Sequence, residues 1–270
     1  MSFPPVKRGY VDGRYGQLHF RHARPAVAAG RIPLLCFHSS PNSGRIYHRF
    51  LPHMARDRLV IAVDTPGFGY SDPPPSAPDI EDYAGAMGDL MEALGLDEVD
   101  VIGYHTGSEI GIALALARPA QVRHLVMISA PIFNQEELDD RRVRRGPKAL
   151  SHDGSHLVKL WSGHWYWAGP GWTSQQCAEQ FADAMRRPDI AWWGHNAAFN
   201  YPAAECLAKV VQPVLVLNPD DDLHQQTQRA EPILQNGHIK PLPGWGHGFL
   251  DLHSAEAADL LRDFLDGSND

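Results

Sequence analysis

The sequence has little cysteine and no long run of apolar residues. Three cysteines, Cys36, Cys177 and Cys206, are spread over the 270 residues. That number and spacing fit neither a disulfide framework nor a zinc site, so we expect a reduced, cytoplasmic protein. No window approaches the ~18 consecutive apolar residues of a transmembrane helix, and residues 1–9 lack the apolar stretch of a signal peptide. No membrane association is therefore expected.

A surplus of positive charge is also missing. The formal net charge is −8, and basic residues cluster only at residues 141–145. A nucleic-acid-binding protein needs lysine and arginine gathered over one face, so no nucleic-acid partner is expected. We interpret the basic run as a solvated helix face, balanced by the acidic residues before it. The expected partner is a small-molecule substrate, and the sequence leaves the oligomeric state open, a homodimer included.

Short apolar segments rich in valine, isoleucine and leucine alternate with helical patterns. This alternation is typical of βαβ units and predicts an α/β fold with a mostly parallel, eight-stranded sheet flanked by helices. The predicted strands cover residues 9–12, 17–22, 32–38, 59–64, 99–103, 122–129, 214–218 and 239–242. The predicted helices cover residues 44–55, 79–94, 106–117, 225–235 and 255–265.

Residues 131–209 break the alternation and hold six of the seven tryptophans. We predict an α/β core of residues 1–130 and 210–270, with residues 131–209 forming a helical, tryptophan-rich cap over the site. Tryptophans in such an insertion either form its own small core or line a pocket for a largely apolar ligand, and both roles stay open. The candidate pocket residues in the cap are Trp161, Trp165 and Trp192.

One predicted strand ends in a glycine-framed turn that leads directly into a helix. Its sequence is Gly103-Tyr104-His105-Thr106-Gly107. The glycines let the chain turn tightly between strand and helix, and such a strained turn projects its central side chain into a pocket. The central residue is His105, and histidine tolerates positive φ better than most residues. We expect Tyr104 to lie beside the substrate.

Three further polar turns follow predicted strands, where open α/β sheets bind their ligands. These turns are His38-Ser39-Ser40-Pro41, Asn218-Pro219-Asp220-Asp221-Asp222 and Gly244-Trp245-Gly246-His247-Gly248. Together with the glycine-framed turn, they place hydroxyl, carboxylate and imidazole groups at one edge of the sheet. His38 and Trp245 are predicted to contact the substrate.

The chain order of glycine-framed elbow, acid loop and histidine loop resembles that of the α/β-hydrolase superfamily, and in particular its capped members. Residues 64–72, DTPGFGYSD, are similar to a loop that those members share. The resemblance implies that His105 stands where the superfamily carries its nucleophilic serine. It also implies that His247 is the general base and that Asp222 is the acid, with Asp221 as the second choice.

The same resemblance implies an oxyanion hole formed by the backbone amides of Ser40 and Thr106. An imidazole at the elbow changes the chemistry, because the hydroxyl that forms an acyl-enzyme is missing. The helix N-terminus and the nearby His247 are expected to depress the pKa of His105. A neutral imidazole is then available as a base or a nucleophile.

Three functions follow from this set of residues. The first is hydrolysis of a small, largely apolar ester, lactone or other carbonyl substrate, with His105 as base or nucleophile and His247 and Asp222 assisting. The second is cofactor-free acid/base chemistry by a lyase, isomerase or dioxygenase, and the third is ligand binding without catalysis. No cofactor is expected. Nor is a metal expected, since no close sequence spacing joins His38, His105 and His247.

Overall fold

The computed structural model describes residues 3–27, 29–144, 146–147 and 150–267. The ends of the predicted core, residues 1–2 and 268–270, lie outside this part of the chain, as does Arg145 of the basic run. The strands are β1 (Lys7–Gly13), β2 (Gly16–Ala23), β3 (Leu34–Phe37), β4 (Val60–Val63), β5 (Val99–Tyr104), β6 (Val122–Ile128), β7 (Val214–Pro219) and β8 (Gly237–Leu242).

The strands form one eight-stranded sheet in the order β1-β2-β4-β3-β5-β6-β7-β8. The β1–β2 and β2–β4 pairs are antiparallel, and every pair from β4 to β8 is parallel. The predicted mostly parallel α/β sheet is therefore confirmed. Its parallel part places the carboxyl ends of β3 and β5 to β8 at the same edge, which is where the predicted site residues lie.

The helices flank the sheet and fill the long connection between β6 and β7. They are α1 (Phe50–Met54), α2 (Ile80–Leu94), α3 (Thr106–Ala117), α4 (Gln135–Arg144), α5 (Ser155–Ala168), α6 (Ser174–Ala184), α7 (Trp193–Ala198), α8 (Ala203–Leu207), α9 (His224–Gln228), α10 (Phe249–Leu252) and α11 (Ser254–Asp266). Helices α4 to α8 occupy the segment predicted as the cap. The division into core and cap stays a prediction. None of the described helices combines the length and apolar character needed to cross a bilayer.

Two predicted helices are wrong in extent, and a proline explains each. The helix predicted over residues 225–235 is replaced by the short α9, because Pro232 lacks an amide donor and disfavours helical geometry at the residue before it. The helix predicted over residues 44–55 divides into a 3-10 turn, Gly44–Tyr47, and α1. Pro52 stands in the first turn of α1, where its missing amide costs nothing, but it prevents one continuous helix.

The core lies on both faces of the sheet. Along β3, Leu35 and Phe37 pack into the cluster formed with α2 and α3. Leu34 and Cys36 pack into the opposite cluster, with α1 and α11. Alternate residues of a strand point to opposite faces, so a continuous apolar segment serves both layers. Each fully buried leucine or phenylalanine contributes about 1.5–3 kcal/mol, and these contacts hold the strand ends in place.

Candidate functional site

The turn between β5 and α3 has the strained geometry predicted for an elbow. His105 adopts φ 50° and ψ −111°, and its amide donates a hydrogen bond to the carbonyl of Ile128, 3.0 Å away. A Cβ atom on Gly103 would lie 2.1 Å from the carbonyl oxygen of Gly107, so only glycine fits there. The Ser108 hydroxyl donates to the Gly103 carbonyl at 2.9 Å, so it is bound to the backbone of the elbow.

Two imidazole–carboxylate pairs meet beyond this elbow. Nε2 of His105 lies 2.8 Å from Oδ2 of Asp221, and Nε2 of His247 lies 2.8 Å from Oδ1 of Asp222. The two rings are nearly perpendicular, with centroids 5.1 Å apart. The structure therefore brings together His105, His247 and both candidate acids. Each acid has its own imidazole partner, although the sequence led us to expect a single acid.

Asp221 is the more firmly held of the two acids. Its side chain is only 4% exposed. The Ser129 hydroxyl donates to its Oδ2 atom at 2.6 Å, and the Leu223 amide donates to Oδ1 at 2.9 Å. Ser129 follows β6 with φ 59°, a conformation uncommon for serine. The sequence analysis did not identify Ser129 as a site residue, because it placed this serine at the end of the predicted strand 122–129.

The charge of the two acids reverses one expectation. Burial alone lowers the pKa of His105, but the charge and hydrogen bond of Asp221, with Asp222 beside it, raise that pKa above its ordinary value. The prediction of a depressed pKa for His105 was therefore wrong, because the two carboxylates outweigh the effect of burial. Burial alone would raise the pKa of each acid, but the imidazoles hold both below their ordinary values.

Two aromatic rings lie beside the two pairs. Tyr104 is buried, its ring meets the His105 ring edge-on at 4.7 Å, and its hydroxyl donates to the His247 carbonyl at 3.4 Å. From α5, the Trp167 ring lies 6.2 Å from the His247 ring. Trp167 was not among the predicted pocket residues, since six cap tryptophans were indistinguishable by sequence alone.

The other predicted pocket tryptophans differ in their surroundings. Trp161 packs edge-on against Phe181, Trp165 is 39% exposed, and Trp192 precedes α7. Trp245 stacks on His253 at 4.5 Å. None of these observations tests contact with a substrate, so the assignment of these tryptophans to a pocket stays a prediction.

His38 does not join the imidazole cluster. It is fully buried, its Nδ1 atom bonds the Ser39 carbonyl, and its Nε2 atom accepts from the Thr65 amide at 3.0 Å. Burial also lowers its pKa. Both ring nitrogens of His38 bind the chain's own backbone, and its predicted contact with the substrate stays a prediction.

A small cavity reaches the site. It has a volume of about 40 Å³ and is lined by His247, Trp172, Leu250, Arg45 and Asp251, among others. This is room for water but not for an organic substrate, because sites for small molecules are usually several hundred cubic ångströms. Trp172 was also missed as a lining residue. A second cavity of about 360 Å³, lined by Trp167, Asp220 and Gly246 among others, lies beside the site, and the side chains of His247 and Asp222 are 28% and 36% exposed.

The profile of the family described as alpha/beta hydrolase fold matches residues 32–222, which is more than half of the chain. The chain belongs to the α/β-hydrolase family. The putative carbamate hydrolase RutD of Caulobacter sp. is 25% identical over 275 residues, covering 97% of this chain and 99% of that protein. A crystal structure of the enol-lactonase of Burkholderia xenovorans shares the fold, with a TM-score of 0.79, 16% identity, and coverage of 96% of this chain and 100% of that one.

The 2-hydroxy-6-oxo-2,4-heptadienoate hydrolase of Pseudomonas putida is 32% identical over 107 residues. That match covers 38% of this chain and 39% of the relative. The first curated relatives are likewise matched over less than half of their own length. The curated relatives named here all carry the names of hydrolases.

The predicted oxyanion donors of this α/β-hydrolase lie on two segments in contact. Thr106 begins α3 directly after the elbow, and Ser40 follows β3 by three residues. A Cβ atom on Gly107 would lie 2.2 Å from the Phe37 carbonyl oxygen and 3.0 Å from that of His38. The N-terminus of α3 thus packs directly on the end of β3. The role of the Ser40 and Thr106 amides stays a prediction.

One turn after the elbow, the α/β-hydrolase buries an acid that takes no part in the cluster. Glu109 is fully buried in α3, and neither carboxyl oxygen has a hydrogen-bond partner among the described residues. Burial raises the pKa of this carboxyl well above its ordinary value, so it is neutral in the fold. The unfolded chain releases the proton at the ordinary pKa, so stability falls as the pH rises from that value towards the raised one.

We expect Glu109→Gln to be more stable than the wild type at about pH 8, by about 1 kcal/mol or more, because the amide cannot ionise. At about pH 4, where both states of the wild type hold the proton, the difference should nearly vanish. Urea unfolding at both pH values measures the difference in the free energy of unfolding. Glu231→Gln, at an exposed position, is the control and should leave the free energy of unfolding unchanged at either pH. An equal effect of Glu109→Gln at both pH values would contradict the titration argument.

Proposed function

We propose that this α/β-hydrolase hydrolyses a small, largely apolar ester, lactone or related carbonyl substrate by adding water directly, without an acyl-enzyme. The observation that carries the proposal is the pair of 2.8 Å imidazole–carboxylate hydrogen bonds, His105 with Asp221 and His247 with Asp222. An imidazole held by a carboxylate is the usual arrangement of a general base. Two such pairs in contact supply both a base and an acid.

In this mechanism His247, held by Asp222, takes a proton from water as the water oxygen bonds to the carbonyl carbon. The bond from that carbon to the leaving group then breaks, and the leaving oxygen receives a proton from the imidazolium of His105. His247 then releases its proton to the solvent, and His105 takes up a proton from the solvent. Both imidazoles are thereby back in their starting states. Water is consumed, and an acid and an alcohol leave.

Direct attack by His105 on the carbonyl carbon is disfavoured by the size of its ring. An imidazole reaches farther than a serine hydroxyl, so the acyl carbon would be displaced from amides placed for the serine reaction. A displacement of about 1 Å costs on the order of 10²-fold in rate.

The substrate class is supported by the surroundings of the site and by the relatives. Tyr104 and Trp167 present aromatic surface to the two imidazoles, which suits a largely apolar molecule. The relatives are named as a carbamate hydrolase, a heptadienoate hydrolase and an enol-lactonase. A carbonyl group is the chemistry that these names share.

The proposal is tested with a panel of aryl esters and lactones in buffer containing a metal chelator. We expect the wild type to turn over at least one of them, with no added acyl mass on the intact protein. His105→Ala should lower kcat by about 10²-fold or more, because one member of the acid–base pair is lost. Far-ultraviolet circular dichroism of each variant checks that the fold is kept.

His105→Ser supplies the informative contrast. If direct water addition is correct, the serine variant loses the wild-type reaction, and any new ester cleavage leaves an acyl adduct. An acyl adduct on His105 of the wild type would overturn the mechanism. A wild type inert on the whole panel, with an active serine variant, would overturn the substrate class. Carbon–carbon cleavage or oxygen consumption would then identify the acid/base alternative.

A further inference from the structure

Four side chains of metal-binding type converge at the carboxyl edge of the sheet. They are His105 from the elbow, Asp221 and Asp222 from the loop after β7, and His247 from the loop after β8. One ligand atom from each, a ring nitrogen or a carboxylate oxygen, lies within 4.8 Å of all the others. We propose that this cluster binds one divalent first-row transition metal ion, with Zn²⁺ as the probe ion.

The spacing of the ligand atoms suits a four-coordinate ion. In tetrahedral sites Zn²⁺ lies about 2.0–2.2 Å from nitrogen and oxygen ligands, so neighbouring ligand atoms are about 3.4 Å apart. Here Nε2 of His105 is 2.8 Å from Asp221 and 3.9 Å from Oδ1 of Asp222, and Nε2 of His247 is 2.8 Å from that same oxygen. These separations bracket the required value. Side-chain shifts of about 1 Å or less complete the site.

The charge of the cluster suits a divalent ion. Two ionised carboxylates with two neutral imidazoles carry a charge of −2, and an ion between them replaces the protons that now bridge nitrogen and oxygen. In the part of the chain that the structure describes, neither Asp221 nor Asp222 forms an ion pair with lysine or arginine. The buried Asp64, by contrast, is paired with Arg21 at 3.0 Å.

The surroundings also orient the ligands. The Ser129 hydroxyl and the Leu223 amide donate to the two oxygens of Asp221 and fix its plane. Hydrogen bonds of this kind normally hold metal-binding carboxylates in place and are costly to remove. Two nitrogen and two oxygen ligands favour zinc and its neighbours over magnesium or calcium, which prefer oxygen alone. A histidine at the elbow is essential, because it brings the second nitrogen to the two acids.

The test is equilibrium dialysis of chelator-treated protein against Zn²⁺, without substrate. We expect one ion per wild-type chain, with affinity reduced by at least about 10-fold in His105→Ala and in His247→Ala. His224→Ala is the matched control: this imidazole follows the same acid loop but bonds the Pro219 carbonyl, outside the cluster. Its binding should equal that of the wild type. Visible absorption of the wild type with Co²⁺ should show d–d bands without thiolate charge transfer.

The inference is overturned if the wild type shows no saturable binding at micromolar Zn²⁺. It is equally overturned if both cluster variants bind as the wild type does, or if His224→Ala abolishes binding. The Co²⁺ spectrum is recorded on the wild type alone. It therefore still tests the proposal if a variant fails to fold. The inference does not rest on the proposed hydrolysis, because binding is measured without substrate and hydrolysis is measured in chelator.

Discussion

His247→Ala is expected to lower kcat for hydrolysis by about 10³-fold, the largest effect of any single side chain on activity. His247 is the proposed base, and its Nε2 atom is held 2.8 Å from Asp222. Removal of the ring leaves water without a proton acceptor while the elbow and the second pair remain. Because the ring acts on the water, KM should change little beside kcat. Steady-state kinetics on the best substrate of the panel gives both quantities.

The control for this variant is His224→Ala, whose imidazole bonds the Pro219 carbonyl and lies outside the cluster. It should keep the wild-type kcat. A His247→Ala protein that folds and retains more than about a tenth of the wild-type kcat would rule out His247 as the base, since general bases contribute about 10²–10⁴-fold. A rise in KM alone would indicate a binding role instead.

Gly107→Ala is expected to destabilise the fold by about 3 kcal/mol, because the added methyl group would overlap backbone atoms. The added Cβ would lie 2.2 Å from the Phe37 carbonyl oxygen and 2.7 Å from its carbon. Both are backbone atoms at the end of a central strand, so relief requires α3 or β3 to move. The midpoint and slope of urea unfolding measure the loss.

Gly163→Ala is the matched control, because Gly163 also lies within a helix but a Cβ atom added there would meet no atom within 4 Å. The methyl group at this position should stabilise the protein by roughly 0.5–1 kcal/mol, since alanine loses less entropy than glycine on helix formation. If Gly107→Ala were as stable as the wild type, the contact between α3 and β3 would be looser than the structure indicates.

Much of the fold was predictable because its signals are local. A buried parallel strand such as β3 reads as a short, continuous apolar segment, and the elbow reads as two glycines around one residue. Local signals also explain the errors in helix extent, since Pro52 and Pro232 act against an otherwise helical pattern. Residues 131–209 offered neither type of signal, so the individual helices of this segment were not predicted.

The candidate site was predictable only in part, because its decisive features depend on contacts between distant segments. The sequence ranked Asp222 above Asp221 but had no means of pairing each with a different imidazole. The pKa of His105 was predicted from the helix N-terminus and the nearby His247, and the direction is reversed because Asp221 lies 2.8 Å away. His38 was grouped with the other histidines by position, although its partner, Thr65, follows a neighbouring strand.

The carbonyls at the end of α5 have a consequence for substrate entry. Trp167 and Ala168 accept hydrogen bonds from the amides of His247 and Gly248, at 2.8 and 3.0 Å. Trp167 also lines the cavity of about 360 Å³ beside the site, so a substrate that enters this cavity meets the end of α5. If α5 shifts, it either breaks both hydrogen bonds or pulls His247 away from Asp222. The position of α5 therefore sets both the shape of this cavity and the distance between the proposed base and its carboxylate partner.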